Sequence, residues 1–264
     1  MGFKAAVIDL DGVLVLGNDA VQGAPAAIKR LRELGLKLRF MTNNATRSRR
    51  MLKKYLFENG FSIEEEELMS SAYCAASYLR EKFGNGRVFI IGEEGLAEEL
   101  DRAGFDLVAD EGADFVVVGL DRHFTYEKLA IALRALKRGA RFIATNEDAT
   151  LPTESGPLPG AGSMVASLVW ASQKKPDVVV GKPYLLMFEQ ALKELGTKAE
   201  ETLLVGDRLE TDILGGNDMG LYTVLVLTGV STRADIENSG PDYKPKLILD
   251  SIAQLPEKLG EIEI

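Results

Sequence analysis

Two aspartates separated by one residue, Asp9 and Asp11, follow an apolar run near the start of the chain. Residues i and i+2 of a strand share one face, so both carboxylates can project over the end of a strand at Lys4–Leu10. Ligands of open α/β sheets bind at this carboxyl edge. A tight turn with two solvated acids fits the segment Asp9-Leu10-Asp11-Gly12 equally well.

A second pair of acids, Asp207 and Asp212, follows the apolar run Thr202–Val205. Four aspartates at one sheet edge would form a site for a hard cation, and Mg²⁺ prefers a few carboxylates together with water and substrate oxygens. The chain has one cysteine and one histidine, which excludes a metal site built on thiolates or on several imidazoles. A helix-capping aspartate followed by a solvated one is the alternative.

Three polar residues, Thr42, Asn43 and Asn44, follow a strand predicted at Leu36–Met41. Their hydroxyl and amide groups could hydrogen-bond an oxyanion such as a phosphoryl oxygen. Taken alone, the segment more often serves as the cap of the following helix, for which Thr46 is a further candidate.

One lysine, Lys182, follows a strand predicted at Val178–Val180 and precedes Pro183, a residue tolerated at the start of a helix. The pattern predicts that Lys182 lies at the same sheet edge as Asp9. An isolated lysine is more often a surface residue, but this one is confined between a strand and a helix start.

The elements that must position these residues alternate between strand and helix. Strands are predicted at Lys4–Leu10, Leu36–Met41, Arg87–Ile91, Phe115–Gly119, Arg141–Ala144, Val178–Val180, Thr202–Val205 and Thr223–Leu227. Helices are predicted at Ala24–Leu34, Ser48–Asn59, Tyr126–Arg138 and Tyr184–Leu195. The alternation indicates βαβ units and an α/β fold with a doubly wound, mostly parallel sheet.

Composition narrows the function further. The 264 residues carry a net charge of −9, whereas nucleic-acid-binding proteins are usually basic, so nucleic acid is not expected as a partner. No apolar run approaches the roughly 18 residues of a membrane span, so no membrane association is expected. The start of the chain makes a poor signal peptide because Asp9 and Asp11 interrupt its apolar stretch. We therefore expect a cytoplasmic protein.

Taken together and in this order, the four polar segments resemble the motifs of the haloacid-dehalogenase-like hydrolase superfamily. The first to fourth motifs are matched by Asp9-x-Asp11, by Thr42-Asn43, by Lys182, and by Asp207 with Asp212. The resemblance covers nearly the whole chain, and its first and fourth motifs are specific. It implies a Rossmann-like core.

A closer resemblance is to the NagD-like branch, also called 4-nitrophenylphosphatases or subfamily IIA. The segments that carry it are Thr42-Asn43-Asn44, Gly181-Lys182-Pro183, Gly206-Asp207-Arg208 with Thr211-Asp212, Gly119-Leu120-Asp121 before Phe124-Thr125-Tyr126, Ala144-Thr145-Asn146 before Asp148, and Pro159-Gly160-Ala161-Gly162-Ser163. Glu147 departs from the branch, whose members commonly carry proline there, and this difference bears on substrate choice at most.

Members of this branch carry a large α/β cap inserted between the second and third motifs. The resemblance therefore implies a phosphatase core at residues 1–71 and 178–264 and an inserted, substrate-selecting cap at residues 72–177. Relatives often dimerise through the cap, which leaves a homodimer open.

The activity implied by the resemblance is magnesium-dependent hydrolysis of small phosphorylated metabolites, with 4-nitrophenyl phosphate as an artificial substrate. Asp9 would attack phosphorus and form an aspartyl-phosphate, while Asp11 would act first as general acid and then as general base. The implied Mg²⁺ ligands are Asp9, the backbone carbonyl of Asp11, Asp207, and Asp212 directly or through water. The groups implied to bind the phosphoryl oxygens are Lys182, Thr42, Asn43 and Asn44.

Three other readings are compatible with parts of the pattern. A phospho-accepting receiver module also places acids, a hydroxyl and a lysine at a sheet edge, but its acids are adjacent and its length is about half. A phosphotransferase or mutase of the same superfamily usually has a smaller, helical cap. A catalytically inactive binding protein would not need every catalytic position filled.

The other residues whose side chains could take part in chemistry are predicted to have structural roles. Arg47, Arg49 and Arg50 are predicted to form a solvated helix face, although they could extend a positive rim around a phosphate site. His123 is predicted to be structural or at the surface. Cys74 and Trp170 are predicted to be buried.

Overall fold

The computed structural model describes residues 2–151 and 156–261. The chain divides into two compact units. The first comprises Met1–Thr42, Lys53–Met69 and Lys182–Ile264, and the second comprises Asn43–Leu52 and Ser70–Gly181. The family resemblance implies domain boundaries after residues 71 and 177. In the structure, the chain passes into the second unit after residue 69 and returns to the first unit after residue 181. The assignment of Asn43–Leu52 to the second unit has no counterpart in the prediction.

The strands of the described residues are short, and most alternate with helices. In chain order they are β1 (Ala5–Asp9), β2 (Val15–Leu16), β3 (Asp19–Ala20), β4 (Lys37–Thr42), β5 (Leu68–Ser70), β6 (Arg87–Ile91), β7 (Asp106–Leu107), β8 (Phe115–Val118), β9 (Arg141–Ala144), β10 (Thr150–Leu151), β11 (Leu158–Pro159), β12 (Val178–Val179), β13 (Thr202–Gly206), β14 (Tyr222–Val226) and β15 (Leu247–Leu249).

The α-helices include all four of those predicted, within one residue at either end. In chain order they are α1 (Ala24–Glu33), α2 (Arg49–Glu58), α3 (Ser71–Phe83), α4 (Glu94–Arg102), α5 (Tyr126–Lys137), α6 (Ala161–Ser172), α7 (Leu185–Leu195), α8 (Leu214–Met219), α9 (Arg233–Asn238) and α10 (Leu255–Lys258). None of the helices in the described part of the chain is long and apolar enough to cross a membrane.

The first unit is built on a six-stranded sheet with the order β15-β14-β13-β1-β4-β5, of which all but the last residue of β5 belongs to this unit. β1 pairs in parallel with β13 on one side and with β4 on the other. Every residue of β1 and β13 is buried, as expected for a parallel sheet covered on both faces. The predicted α/β class and parallel sheet are therefore confirmed.

The second unit contains its own parallel sheet, with the order β12-β9-β8-β6-β7. β12 pairs with β9 there, with Val178 opposite Ile143. The strand predicted before Lys182 therefore exists, and it completes the sheet of the second unit instead of joining the sheet that contains Asp9. The sequence pattern of a short Val-rich strand does not specify which of two parallel sheets it joins.

The predictions that Cys74 and Trp170 are buried have different outcomes. Cys74 is fully buried in α3, as predicted. The prediction for Trp170 is wrong, since 82% of the residue is exposed. Its helix, α6, is apolar on most of its surface, so the sequence does not distinguish the face packed on the sheet from the outer face.

Candidate active site

The register of the first sheet brings the acidic residues near the start of the chain close to those that follow β13. Ile8 lies opposite Val205, so Asp9 at the end of β1 and Asp207 just beyond β13 emerge at the same edge. The carboxyl ends of neighbouring parallel strands form the ligand-binding edge of such sheets. Residues 198 positions apart thus meet because their strands are adjacent.

Three buried carboxylates form a cluster at this edge. Oxygens of Asp9, Asp207 and Asp212 all lie within 4.8 Å of one another. Oδ2 of Asp207 accepts the N–H of Val230 at 2.8 Å, whereas its buried Oδ1 has no hydrogen-bond partner among the described residues. Like charges in a buried place need a cation nearby, and an unsatisfied carboxylate oxygen is a suitable ligand for one. The donor set therefore fits a magnesium ion.

Lys182 supplies one positive charge to this cluster. Its Nζ lies 2.6 Å from Oδ1 of Asp9 and 2.6 Å from Oδ1 of Asp212, and the side chain is buried. Burial alone would lower the pKa of Lys182, but the two carboxylates outweigh it and raise that pKa above its ordinary value. These contacts therefore favour the charged form of the lysine.

The pKa values of two of the aspartates are raised. Burial raises the pKa of Asp9 well above its usual value; Lys182 opposes this shift, and the neighbouring aspartates add to it. Burial, followed by the charge of Asp212, raises the pKa of Asp207 to about 6. A bound divalent cation would favour the ionised forms and reverse these shifts.

Two glycines allow the loops to approach Asp207 closely. Gly12 follows the first acidic pair with φ of 86°, and a Cβ there would collide with the Asp207 carboxylate. A Cβ on Gly229 would collide with the same carboxylate. The hydroxyl of Thr228 donates to the carbonyl of Gly12 at 2.5 Å, which joins these two loops.

The loop after β14 is part of the site, although the sequence analysis did not identify it. It contributes Thr228, Gly229, the Val230 N–H that binds Asp207, and the hydroxyl of Ser231, which accepts the N–H of Leu209 at 3.0 Å. The available signal was positional, since this segment follows the strand next to β13 at the same sheet edge.

A five-residue π-helical turn, Leu209–Ile213, positions Asp212. Such turns are rare and often occur at functional sites. Oδ2 of Asp212 accepts the N–H of Arg208 at 3.2 Å, while Oδ1 binds Lys182. Both oxygens of Asp212 thus have protein donors, whereas within the described part of the chain only Oδ2 of Asp207 has one.

The second aspartate of the first motif is exposed. Asp11 accepts a hydrogen bond at Oδ2 from the hydroxyl of Thr42 at 3.3 Å, and Thr42 itself is buried. An exposed carboxylate can exchange protons with water, as a general acid and base must. The structure therefore brings Asp9, Asp11, Thr42, Lys182, Asp207 and Asp212 together in the first unit.

The two asparagines after Thr42 belong to the second unit. The amide nitrogen of Asn43 lies 3.1 Å from Oδ1 of Asp148, and its backbone carbonyl accepts hydrogen bonds from Ser71 and Asn146. Asn146 and Asp148 contribute to the family resemblance, but their contacts with Asn43 have no signal in the sequence.

Neither asparagine caps the next helix. Oδ1 of Asn44 accepts the N–H of Thr46 at 2.8 Å and its hydroxyl at 2.7 Å. The cap of α2 is Ser48, whose hydroxyl accepts the N–H of Met51 at 3.2 Å. The helix-cap alternative for residues 42–44 is therefore wrong, as is Thr46 as the cap.

Comparison with known families gives two matches that lie at opposite ends of the chain. Residues 6–106 match a family described as haloacid dehalogenase-like hydrolase. Residues 179–255 match a second family, described as HAD-hydrolase-like. The two matches include all of the aspartates of the cluster and Lys182.

The chain is also similar, over nearly its full length, to proteins named as phosphatases. It is 37% identical to the 5'-nucleotidase YutF of Bacillus subtilis, covering 96% of this chain and 97% of that protein. The p-nitrophenyl phosphatase of Archaeoglobus fulgidus is 39% identical, with a TM-score of 0.92 and coverage of 97% and 99%.

Two further solved structures extend this similarity. NagD of E. coli is 36% identical, with a TM-score of 0.88 and coverage of 96% and 98%. The glycerol phosphate phosphatase Rv1692 of Mycobacterium tuberculosis, whose structure contains magnesium, is 37% identical, with a TM-score of 0.88 and coverage of 98% and 78%. On these matches, the chain belongs to the haloacid-dehalogenase-like hydrolase superfamily, in its NagD-like branch, and is a phosphatase of small phosphorylated metabolites.

Proposed function

We propose that the chain hydrolyses phosphomonoesters in two steps through a phosphoryl group carried on Asp9. The observation that carries the proposal is the contact between Asp9 and Lys182 inside a buried cluster of acids. A lysine that keeps its charge holds one carboxylate oxygen in place, and it lies where it can also meet the phosphoryl oxygens of an ester.

In the first step, an oxygen of Asp9 attacks phosphorus and the ester P–O bond breaks. The leaving oxygen takes a proton from Asp11, which is exposed and next to the Thr42 hydroxyl. In the second step, water attacks phosphorus, Asp11 takes a proton from that water, and the bond to Asp9 breaks. The products are the alcohol and inorganic phosphate, and both aspartates return to their starting state.

The residues that would hold Mg²⁺ are Asp9, Asp207, the backbone carbonyl of Asp11 and, through a water, Asp212. Water mediation is favoured for Asp212 because both of its oxygens already accept hydrogen bonds from Lys182 and Arg208. When bound, the ion would reduce repulsion between an anionic nucleophile and an anionic ester.

The remaining residues of the site carry groups that can donate hydrogen bonds, and their roles are assigned from these groups. Lys182 and the Thr42 hydroxyl would stabilise the phosphoryl oxygens in the transition state. Asn43 and Asn44 stay predicted substrate contacts; because the Asn43 amide nitrogen binds Asp148, its backbone N–H is the stronger candidate. We also keep residues 72–177 as a predicted cap that selects the substrate.

Release of phosphate from a panel of sugar phosphates, nucleoside monophosphates, glycerol phosphates and 4-nitrophenyl phosphate tests this function. We expect turnover with magnesium, none after chelation, and none from Asp9→Asn with any substrate. Turnover by Asp9→Asn would remove Asp9 as the nucleophile. Formation of a new phosphoester with added alcohol instead of free phosphate would favour a phosphotransferase.

A further inference from the structure

We infer that the second unit binds a small organic anion in a cavity that is formed by α2, α3 and α4. The cavity has a volume of about 350 Å³, within the range of small-molecule sites. Its lining residues are Arg49, Tyr73, Ala76, Ser77, Arg80, Glu81, Glu99, Arg102 and Ala103. All nine belong to the second unit, and none is part of the aspartate cluster.

One arginine of the cavity is held rigidly. Arg49 is predicted as part of a solvated helix face, but only 16% of its side chain is exposed. Its guanidinium lies 3.6 Å from the centre of the Tyr73 ring. The buried Glu99 accepts its backbone N–H at 2.6 Å and lies 3.5 Å from its Nε. A guanidinium held on two sides loses little freedom when a ligand binds.

The other charges leave the cavity positive overall. Arg80 on α3 and Arg102 on α4 are exposed and line it from two helices, together with Glu81. The lining therefore carries three arginines against two glutamates, Glu81 and Glu99. The whole chain, by contrast, has a net charge of −9. A concave surface with a positive lining attracts anions.

The lining also defines the chemical class of the ligand. Arginine forks bind carboxylates and phosphate groups through paired hydrogen bonds. The ring of Tyr73 and the methyl groups of Ala76 and Ala103 offer apolar contacts to a carbon skeleton, and Ser77 offers a hydroxyl. The volume exceeds the ~30 Å³ share of one water about tenfold. A metabolite-sized carboxylate or phosphate ester therefore fits better than a simple ion.

An NMR titration of the full chain tests this site without relying on its activity. The titration is run in EDTA, where the proposed function predicts no turnover of phosphate esters. 3-Phosphoglycerate carries both anionic groups, and malonate carries only carboxylates, so the two probes distinguish the group that is recognised. We expect saturable shifts at the backbone amides of Ala76, Ser77 and Ala103 with at least one probe. The absence of saturable shifts at these amides with both probes would overturn the inference.

Variants distinguish binding in the cavity from a general effect of removing positive charge. Arg80→Gln with Arg102→Gln should raise the dissociation constant at least tenfold, and Glu81→Gln should lower it. The matched control is Arg134→Gln with Arg138→Gln, which removes one arginine on α5 and one just after it; both belong to the same unit and pair with Glu111 outside the cavity. An equal loss in the control would contradict the site.

A cavity-filling variant covers the case in which the double arginine variant is unstable. Ala103→Leu keeps every charge and adds a larger side chain to the lining, so it should weaken probe binding while the melting temperature stays close to that of the parent chain. Unchanged binding in Ala103→Leu would also overturn the inference.

Discussion

The ammonium of Lys182 lies 2.6 Å from Oδ1 of Asp9, although the strand that precedes the lysine belongs to the other sheet. The chain leaves β12 in the second unit and enters the first unit at Lys182. The same ammonium contacts Asp212, so one buried cation pairs with a carboxylate of the first motif and with one of the fourth motif. Lys182 thus reaches both carboxylates from the point where the chain passes from the second unit to the first.

Replacing Lys182 by methionine should lower kcat with 4-nitrophenyl phosphate by about 100-fold or more, since loss of a preorganised donor to a developing charge costs this much in enzymes. Lys198→Met, an exposed lysine of the same unit, is the matched control and should leave kcat unchanged. A change in KM alone would show that the lysine serves substrate binding and not the transition state.

Asp207 should control magnesium affinity because its Oδ1 is buried and receives no hydrogen bond from residues 2–151 and 156–261. Asp207→Asn should abolish the rise in melting temperature that magnesium gives the parent chain, and it should require far more magnesium for activity. Calcium should restore activity poorly, because its longer bonds and higher coordination number disturb the geometry. Asp218→Asn, an exposed acid on α8, serves as the control. Full activity in EDTA would contradict the metal site.

The metal-free chain should lose stability as the pH rises from 5 to 7. The pKa of Asp207 is about 6 in the fold, against about 3.9 in an unfolded chain, so the folded form binds more protons in this window. Its stabilising effect is therefore complete below the unfolded pKa and is lost as the pH passes 6. The free energy of unfolding should fall by about 1 kcal/mol, as measured by urea denaturation in EDTA.

Asp207→Asn should flatten that pH dependence, and saturating magnesium at pH 7 should restore the stability of the parent chain. A parent chain that is more stable at pH 7 than at pH 5 without metal would show that burial does not raise the pKa of this cluster.

Asp11→Asn should separate the two chemical steps. The amide cannot donate a proton to a leaving oxygen, so transfer from an alkyl phosphate should slow more than transfer from 4-nitrophenyl phosphate, whose leaving group needs little help. Single-turnover phosphoryl transfer measures this difference. Equal defects on both substrates would mean that Asp11 acts through geometry or metal binding.

Much of the site could be predicted because its chemistry is local. Asp9-x-Asp11 and the pair Asp207 and Asp212 follow strands whose apolar runs are evident, and parallel strands bring their carboxyl ends to one edge. The loop of Thr228 and Gly229 could not be identified, because its contribution is a backbone N–H and close packing on Asp207, neither of which has a distinctive residue type.

The fold was less predictable where one sequence pattern is compatible with two ways of packing. Val178–Val179 reads as a strand from its residues, but the choice between two parallel sheets depends on the whole chain. Trp170 lies in a helix that is apolar almost all round, so its exposure does not follow from the spacing of apolar residues. The link between Asn43 and Asp148 joins residues more than 100 positions apart and leaves no local signature.

Asp9 is proposed to carry the phosphoryl group, and trapping that group on the protein tests this role most directly. Asp11→Asn should accumulate the intermediate, because the attacking water lacks its base. Acid quenching during turnover of 4-nitrophenyl phosphate, followed by mass spectrometry, should show one added phosphoryl group on the peptide that contains Asp9. The same experiment with Asp9→Asn added to that variant should show none. A phosphoryl group on any other residue, or persistent labelling without Asp9, would contradict the account.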